Sequence, residues 1–195
     1  MHLARPLLED TAVRYVIDTQ GSTFVVRAFS KGLLSAFAHD PSIAIRDFQG
    51  DAEFVAADTA LAEARLSLRI QARSLQVTDD IGETDRADIH RRMNDEVLET
   101  ERFPEIVYEC SNVTGSGAGG RYWLTLNGEL TLHGVTRSQP VSARVLVNGN
   151  SLRASGEFSV LQSDYGIAPV SAAAGAIRVK DELKCTFDIV ARKQD

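Results

Sequence analysis

Two stretches of this chain alternate apolar and polar residues with a strict period of two, and that period leaves few folds open. In Ala62–Ala72, the residues Ala62, Ala64, Leu66, Leu68, Ile70 and Ala72 share one parity, and Glu63, Arg65, Ser67, Arg69 and Gln71 share the other. In Tyr122–His133, the residues Tyr122, Leu124, Leu126, Gly128, Leu130 and Leu132 alternate with Trp123, Thr125, Asn127, Glu129, Thr131 and His133. Successive side chains of a strand point to opposite faces, so each run has one apolar and one wetted face. Both runs exceed the usual strand length of about 5–6 residues. Strands this long must close on themselves or stack on a second sheet to hide the apolar face.

The pattern recurs along the chain. Val141, Ala143, Val145 and Val147 precede the hairpin signal Asn148-Gly149-Asn150, and Leu152, Ala154, Gly156, Phe158 and Val160 follow it. The closing stretch Leu183–Arg192 turns Leu183, Cys185, Phe187, Ile189 and Ala191 inward and Lys184, Thr186, Asp188 and Arg192 outward. Strands near Arg14–Asp18 and Thr23–Ser30 flank Gln20-Gly21-Ser22. A short apolar run, Leu33–Ala38, lies between Lys31-Gly32 and Asp40-Pro41, and the glycine-rich stretch 115–120 reads as a hairpin tip. At least eight strands result, which predicts an all-β antiparallel barrel. Only between Thr84 and Glu101 does the period turn helical, with Ile89, Met93 and Val97 on one face and Thr84 or Asp85 as the cap. This one inserted α-helix is expected to cover an opening of the barrel or pack on its wall.

With 195 residues, 44% of them hydrophobic and 25% charged, the chain has the composition of one large domain. We read residues 1–12 as an N-terminal extension and 13–195 as the barrel domain. Twenty-one basic against 27 acidic residues give a net charge of -6, and no basic stripe stands out in the sequence. Nucleic acid is therefore not an expected partner, and an anionic membrane surface is not favoured. The first ten residues lack the apolar stretch of a secretory signal, and no segment has the roughly 20 apolar residues of a spanning helix. The expectation is a soluble, cytoplasmic protein with no membrane insertion.

The inward parity mixes large residues with small ones: Ala62, Ala64, Ala72, Gly128, Ala143, Ala154 and Gly156. Either the small residues leave a cavity lined by Phe24, Tyr108, Phe158 and Phe187, or they let neighbouring elements pack closely. An open interior so poor in charge takes an apolar ligand and rejects polar ones, since each unpaired buried polar group costs on the order of 1–3 kcal/mol. The candidate ligand contacts are Phe24, Val26, Leu66, Leu68, Ile70, Tyr108, Leu124, Leu126, Phe158, Tyr165 and Phe187.

Polar chemistry is sparse. His39, beside Asp40, either meets a ligand head group or a metal at the barrel rim or caps the turn before Pro41; neighbouring side chains in an extended segment point apart, so the two do not form a dyad by adjacency. His133 reads as a turn or surface residue, and His90 as a solvated residue of the helix. No histidine spacing supports a metal site, no Gly-x-Ser-x-Gly elbow supports a nucleophile, and no cofactor is expected. Cys110 and Cys185 fall on apolar parities and read as buried thiols.

Several segments, taken in order, resemble the YceI-like polyisoprenoid-binding family. They are Tyr15-Val16-Ile17-Asp18 with Ser22-Thr23-Phe24-Val25-Val26, Met93-Asn94-Asp95-Glu96-Val97-Leu98 with Arg102-Phe103-Pro104-Glu105-Ile106, and Leu130-Thr131-Leu132-His133-Gly134-Val135-Thr136. Ser163-Asp164-Tyr165-Gly166-Ile167 and Val179-Lys180-Asp181-Glu182-Leu183 complete the set. The resemblance implies a lipocalin-like barrel of about eight strands that holds a long isoprenoid, such as a quinone tail or a polyprenyl chain, with no cofactor chemistry. Two features depart from the family: many relatives carry a secretory signal, and the region Phe29–Asp40 replaces a longer histidine-containing pattern. The leading expectation is thus a non-enzymatic binder of a long apolar lipid. A scaffold domain on the same fold, dimeric through strand pairing, is the second, and an enzyme using His39 as acid or base the third.

Overall fold

Alternation at period two becomes a ring of strands. The computed structural model describes residues 12–31, 40–56, 61–168, 170–172 and 177–194; His39 and the run Leu33–Ala38 lie outside them. In chain order the elements are β1 (Val13–Ile17), β2 (Thr23–Arg27), β3 (Ser30–Lys31), β4 (Ser42–Ile45), β5 (Phe48–Ala56), β6 (Leu61–Gln71), β7 (Leu75–Val77) and α1 (Glu83–Arg92). They continue as β8 (Glu105–Cys110), β9 (Val113–Ala118), β10 (Arg121–Leu132), β11 (Val135–Asn148), β12 (Ser151–Leu161), β13 (Ser171–Ala172), β14 (Ile177–Val179) and β15 (Glu182–Lys193). The order β1-β5-β6-β8-β10-β11-β12-β15 returns to β1 through Tyr15↔Lys193 and Ile17↔Ala191, so eight antiparallel strands close a barrel.

β1 and β2 together occupy one place in the wall. β15 pairs with β1 through residues 191–193 and with β2 through 184–188. The 3-10 turn Thr19–Gly21 between them is held by the Asp18 carboxylate, which accepts from the Gly21 N–H. From β2 the sheet runs on to β4 and β7, while β3, β13 and β14 form a small separate sheet.

The period dictates burial as expected. Along β10, Tyr122, Leu124, Leu130 and Leu132 are buried, and Arg121, Trp123, Asn127 and Glu129 are exposed. The turn Asn148-Gly149-Asn150 joins β11 to β12. The glycine-rich stretch is only partly a tip: Gly115 to Ala118 belong to β9, and the turn is confined to Gly119 and Gly120, both at positive φ, where glycine adopts the left-handed region without strain.

Helical structure differs from the expected single run. α1 ends at Arg92 and passes into a π-helical turn, Met93–Val97. That change of period falls after Met93 and breaks the face on which Met93 and Val97 would have aligned. Met93 is buried, Ile89 is 36% exposed, and neither Thr84 nor Asp85 caps the start. α1 is anchored instead by polar side chains. Arg86 donates to the carbonyls of Val77 (2.6 Å) and Asp79 (2.8 Å), and His90 Nε2 accepts the Val77 N–H at 3.0 Å. His90 is therefore a structural acceptor rather than a solvated residue.

The interior divides into two apolar clusters. One, toward α1, includes Phe24, Ile70, Met93, Leu98, Tyr108, Leu130, Tyr165 and Cys185. The other, at the opposite end, includes Tyr15, Phe54, Tyr122, Leu124, Val145 and Leu152. Val113, Leu126 and Phe187 pack against both. Both cysteines are free, buried thiols, and burial pushes the Cys185 thiol up to about 12.

Candidate functional site

Between the two clusters lies a cavity of about 150 Å³. It follows the strands: its lining takes Leu124, Leu126 and Leu130 from β10, Val141, Ala143 and Val145 from β11, and Leu66, Leu68 and Ile70 from β6. At about 3.3 Å per residue, Leu124 to Leu130 alone span about 20 Å, so the space is long and narrow. An empty apolar hole of this size costs a fold about 3–4 kcal/mol at ~24 cal/mol per Å³. A hydrocarbon that fills it recovers that packing.

Nine of the eleven sequence candidates line the cavity: Phe24, Leu66, Leu68, Ile70, Tyr108, Leu124, Leu126, Phe158 and Phe187. Phe24, Phe158 and Phe187 form an aromatic wall, with centroids 6.2–6.4 Å apart in tilted or edge-on pairs. Val26 and Tyr165 do not line it. Val26 packs against the cluster toward α1, and Tyr165, 2% exposed, is part of that cluster. Sequence reasoning missed Ile17, Phe54, Leu61, Val113 and Ile189, which also line the space. Ile17, Phe54 and Ile189 fall on the inward parities of their strands, so the period could have found those three; Leu61 lies on the outward parity of β6 and reaches the cavity only because the strand is irregular at Glu63.

The small residues have two separate uses. Ala64, Ala143 and Ala154 line the cavity. Gly128 and Gly156 instead make seats for rings: a Cβ on Gly128 would fall 2.5 Å from Tyr108 Cζ, and one on Gly156 would fall 2.8 Å from Phe187 Cζ. These glycines bring aromatic rings onto the wall and do not add volume. Ala72 is buried in the 3-10 turn after β6, away from the cavity.

Within the cavity the one phenol is already spent. Tyr108 Oη lies 3.0 Å from the Leu126 carbonyl oxygen and 3.1 Å from that of Gln139, and burial pushes its hydroxyl above the ordinary value. The ionisable residues of the lining are Asp51 and Arg65, both on the outward parity of their strands; Arg14 pairs with Asp51 at 3.1 Å. At the end remote from α1, Tyr15 stacks on Phe54 with centroids 5.3 Å apart, and its hydroxyl donates to the Gly149 carbonyl at 2.9 Å. Among the described residues no cluster of histidine, cysteine or carboxylate groups could hold a metal, and no helix is long and apolar enough to cross a membrane.

The YceI-like domain model matches residues 15–191. The chain belongs to the YceI-like family. A UPF0312 protein of Shewanella oneidensis is 28% identical over 167 residues, covering 80% of this chain and 78% of that protein. Two solved structures share the fold. BcnA of Burkholderia cenocepacia is 17% identical with a TM-score of 0.68, over 89% of this chain and 98% of that one. A polyisoprenoid binding domain from Saccharophagus degradans, implicated in plant cell wall breakdown, is 13% identical with a TM-score of 0.66, over 92% and 98%.

In this YceI-like barrel, several of the motifs that carried the resemblance staple the end near α1, while Ile17, Phe24, Ile106 and Leu130 within the motifs line the cavity. His133, in the turn between β10 and β11, is only 14% exposed. It places Nε2 3.0 Å from Glu99 Oε1 and Nδ1 3.2 Å from the Tyr165 carbonyl oxygen, and Phe103 covers its ring at 4.5 Å. His133 is thus an enclosed link between three segments, not a surface residue. Gly134, at φ +73°, leaves room for Phe103, whose ring would otherwise lie 2.5 Å from a Cβ. Asp181 accepts from Ser163 N (2.8 Å) and Oγ (2.6 Å), and Gln162 Nε2 donates to the Lys180 carbonyl at 2.9 Å. Arg102, at 2.6 Å, and His133 hold the Glu99 carboxyl below its ordinary value.

Proposed function

We propose that this barrel binds a long apolar lipid of isoprenoid type, such as a quinone tail or a polyprenyl chain, and carries or stores it without chemical change. The observation that carries the reading is the long, narrow, apolar lining whose single phenol is consumed by wall carbonyls. A polar group on the enclosed part of a ligand would find no partner there and would cost about 1–3 kcal/mol. The interior therefore suits hydrocarbon, and the head group stays at or outside an end. Phe24, Leu66, Leu68, Ile70, Tyr108, Leu124, Leu126, Phe158 and Phe187 are the contacts we assign. The likeness to a polyisoprenoid binding domain supports the ligand class.

The reading is of a binding protein and not an enzyme. Among the described residues, the one histidine–carboxylate pair that resembles catalytic machinery, His133 with Glu99, ties segments together near α1 and does not line the cavity.

Native mass spectrometry of freshly purified protein, followed by denaturing extraction, tests this directly. A stoichiometric mass shift from an isoprenoid or similar long-chain lipid is the expected result. A clean apo mass, unchanged after incubation with quinones and polyprenols, would overturn the proposal and favour a scaffold role for the fold.

A further inference from the structure

The wall of the barrel carries a lateral seam. The ladder between β6 and β8 runs from Gln71↔Glu105 to Leu66↔Cys110 and stops there, although β6 begins at Leu61. β9, which continues β8 along the wall, pairs with β10 alone. Residues 61–65 and 113–118 are thus two neighbouring strand edges with no ladder between them. The cavity reaches this seam through Leu61, Ala64 and Arg65 on one lip and Val113 on the other. The ribbon that forms the first lip is irregular there: the β5–β6 register shifts between Glu53 and Val55, and Glu63 holds φ +54°. Among the described residues, the apolar cluster near α1 packs one end of the space and the Tyr15–Phe54 stack stands at the other.

The outer face beside the seam has an unusual composition for this chain. Register places Ser116, Trp123 and Arg144 in one row, and Ala118, Arg121, Leu146 and Arg153 in the next. Trp123 is 61% and Leu146 43% exposed. Arg121 and Arg144 have no ion-pair or hydrogen-bond partner among the described residues. The nearest outward carboxylates on this side are neutralised, Asp188 by Arg153 and Glu157 by Lys184. Across the seam, Glu53 stands opposite Arg65 in the β5–β6 ladder, and Glu63 is exposed. A chain of net charge -6 thus presents, at one place, two unneutralised guanidinium groups around an indole and a leucine. An indole prefers the level of lipid head groups, and arginine is drawn to an anionic leaflet.

We propose that this face docks on an anionic lipid bilayer, and that the seam beside it is the doorway through which the apolar chain passes between bilayer and cavity. The doorway rests on the carrier reading above; the docking does not. A second copy of the chain fits the face less well, because a twofold contact would bring the unneutralised arginines of one copy against those of the other.

Trp123 is the only tryptophan, so its emission reports this face in the unlabelled protein. The protein is titrated with phosphatidylcholine vesicles, and with the same vesicles containing phosphatidylglycerol, some carrying brominated chains. A blue shift and bromine quenching with the anionic vesicles alone, weakened by added salt, is the expected result. Replacing both arginines (Arg121→Glu with Arg144→Glu), with the fold checked by circular dichroism, is expected to weaken vesicle binding by at least about tenfold. Emission that ignores vesicles, or answers neutral and anionic ones alike, would overturn the docking. So would a shift that follows protein concentration with a doubled mass, which would assign the face to self-association. Uptake of a fluorescent polyprenol with Trp123 silent sinks the docking and leaves the carrier reading standing. Docking without uptake from vesicles or detergent removes the doorway and the carrier reading together.

Discussion

Gly156 sits beneath the Phe187 ring, and a methyl group there would meet both that ring and the Ser142 carbonyl oxygen. Gly156→Ala is therefore expected to destabilise the fold by about 1–3 kcal/mol in urea titrations and, by tilting Phe187 into the cavity, to lower lipid uptake. Leu68 and Leu126 face the cavity, and Arg69 faces outward, where it pairs with Glu105 and Glu109 at 3.5 and 3.6 Å. Leu68→Arg or Leu126→Arg should abolish uptake, and Leu126→Phe, which fills space without burying a charge, should reduce it in a protein that still unfolds cooperatively. Arg69→Ser should leave uptake intact, since exposed ion pairs contribute only about 0–1 kcal/mol. Equal loss with Leu126→Phe and Arg69→Ser, measured by binding of a fluorescent polyprenol, would invert the assignment of inside and outside.

Among the elements, the segments stapled near α1 are the part whose strength depends on charge. Glu99, on the segment after the π turn, is held by Arg102 and His133, so its carboxyl lies below the ordinary 4.5 in the folded chain. A group depressed on folding contributes its stability in full above the unfolded value, and loses it as pH falls through the folded one. The urea midpoint is expected to fall as pH drops from neutrality through and below 4.5, and Glu99→Gln should flatten part of that fall. An unchanged slope in the variant would show that Glu99 is not one of the carboxylates that matter. Asp18, lowered by Arg192 and the Gly21 N–H, and Asp188, lowered by Arg153, lose their contribution in the same direction.

At the scale of the molecule, closure and seam predict an uneven barrel. Amide exchange should be slowest in β10, β11, β12 and β15, each of which is paired along both edges over much of its length, and fast at residues 61–65, which have a ladder on one side only. Uniform protection across β6 would remove the seam. The same closed packing buries both thiols, and burial raises each of them. Neither Cys110 nor Cys185 should react with a thiol reagent at mildly alkaline pH until the barrel is unfolded.

Much of this architecture was legible in the residues. A side-chain period of two is a local property, so alternation alone marked β6, β10, β11, β12 and β15, their inward faces and nine of the cavity's lining residues. Ordered motifs identified the family for the same reason, since each is contiguous. Long-range pairing left no comparable trace. Nothing in the sequence says that the β6–β8 ladder stops at Leu66, that Gly128 and Gly156 seat rings instead of opening space, or that His90 and His133 are held by backbone and carboxylate partners far along the chain. Arg121, Arg144 and Arg153 are scattered in sequence and showed no basic stripe; the registers of β10, β11 and β12 gather them around Trp123. Periodicity decides which way a side chain points, but only the closed set of strand registers decides what it points at.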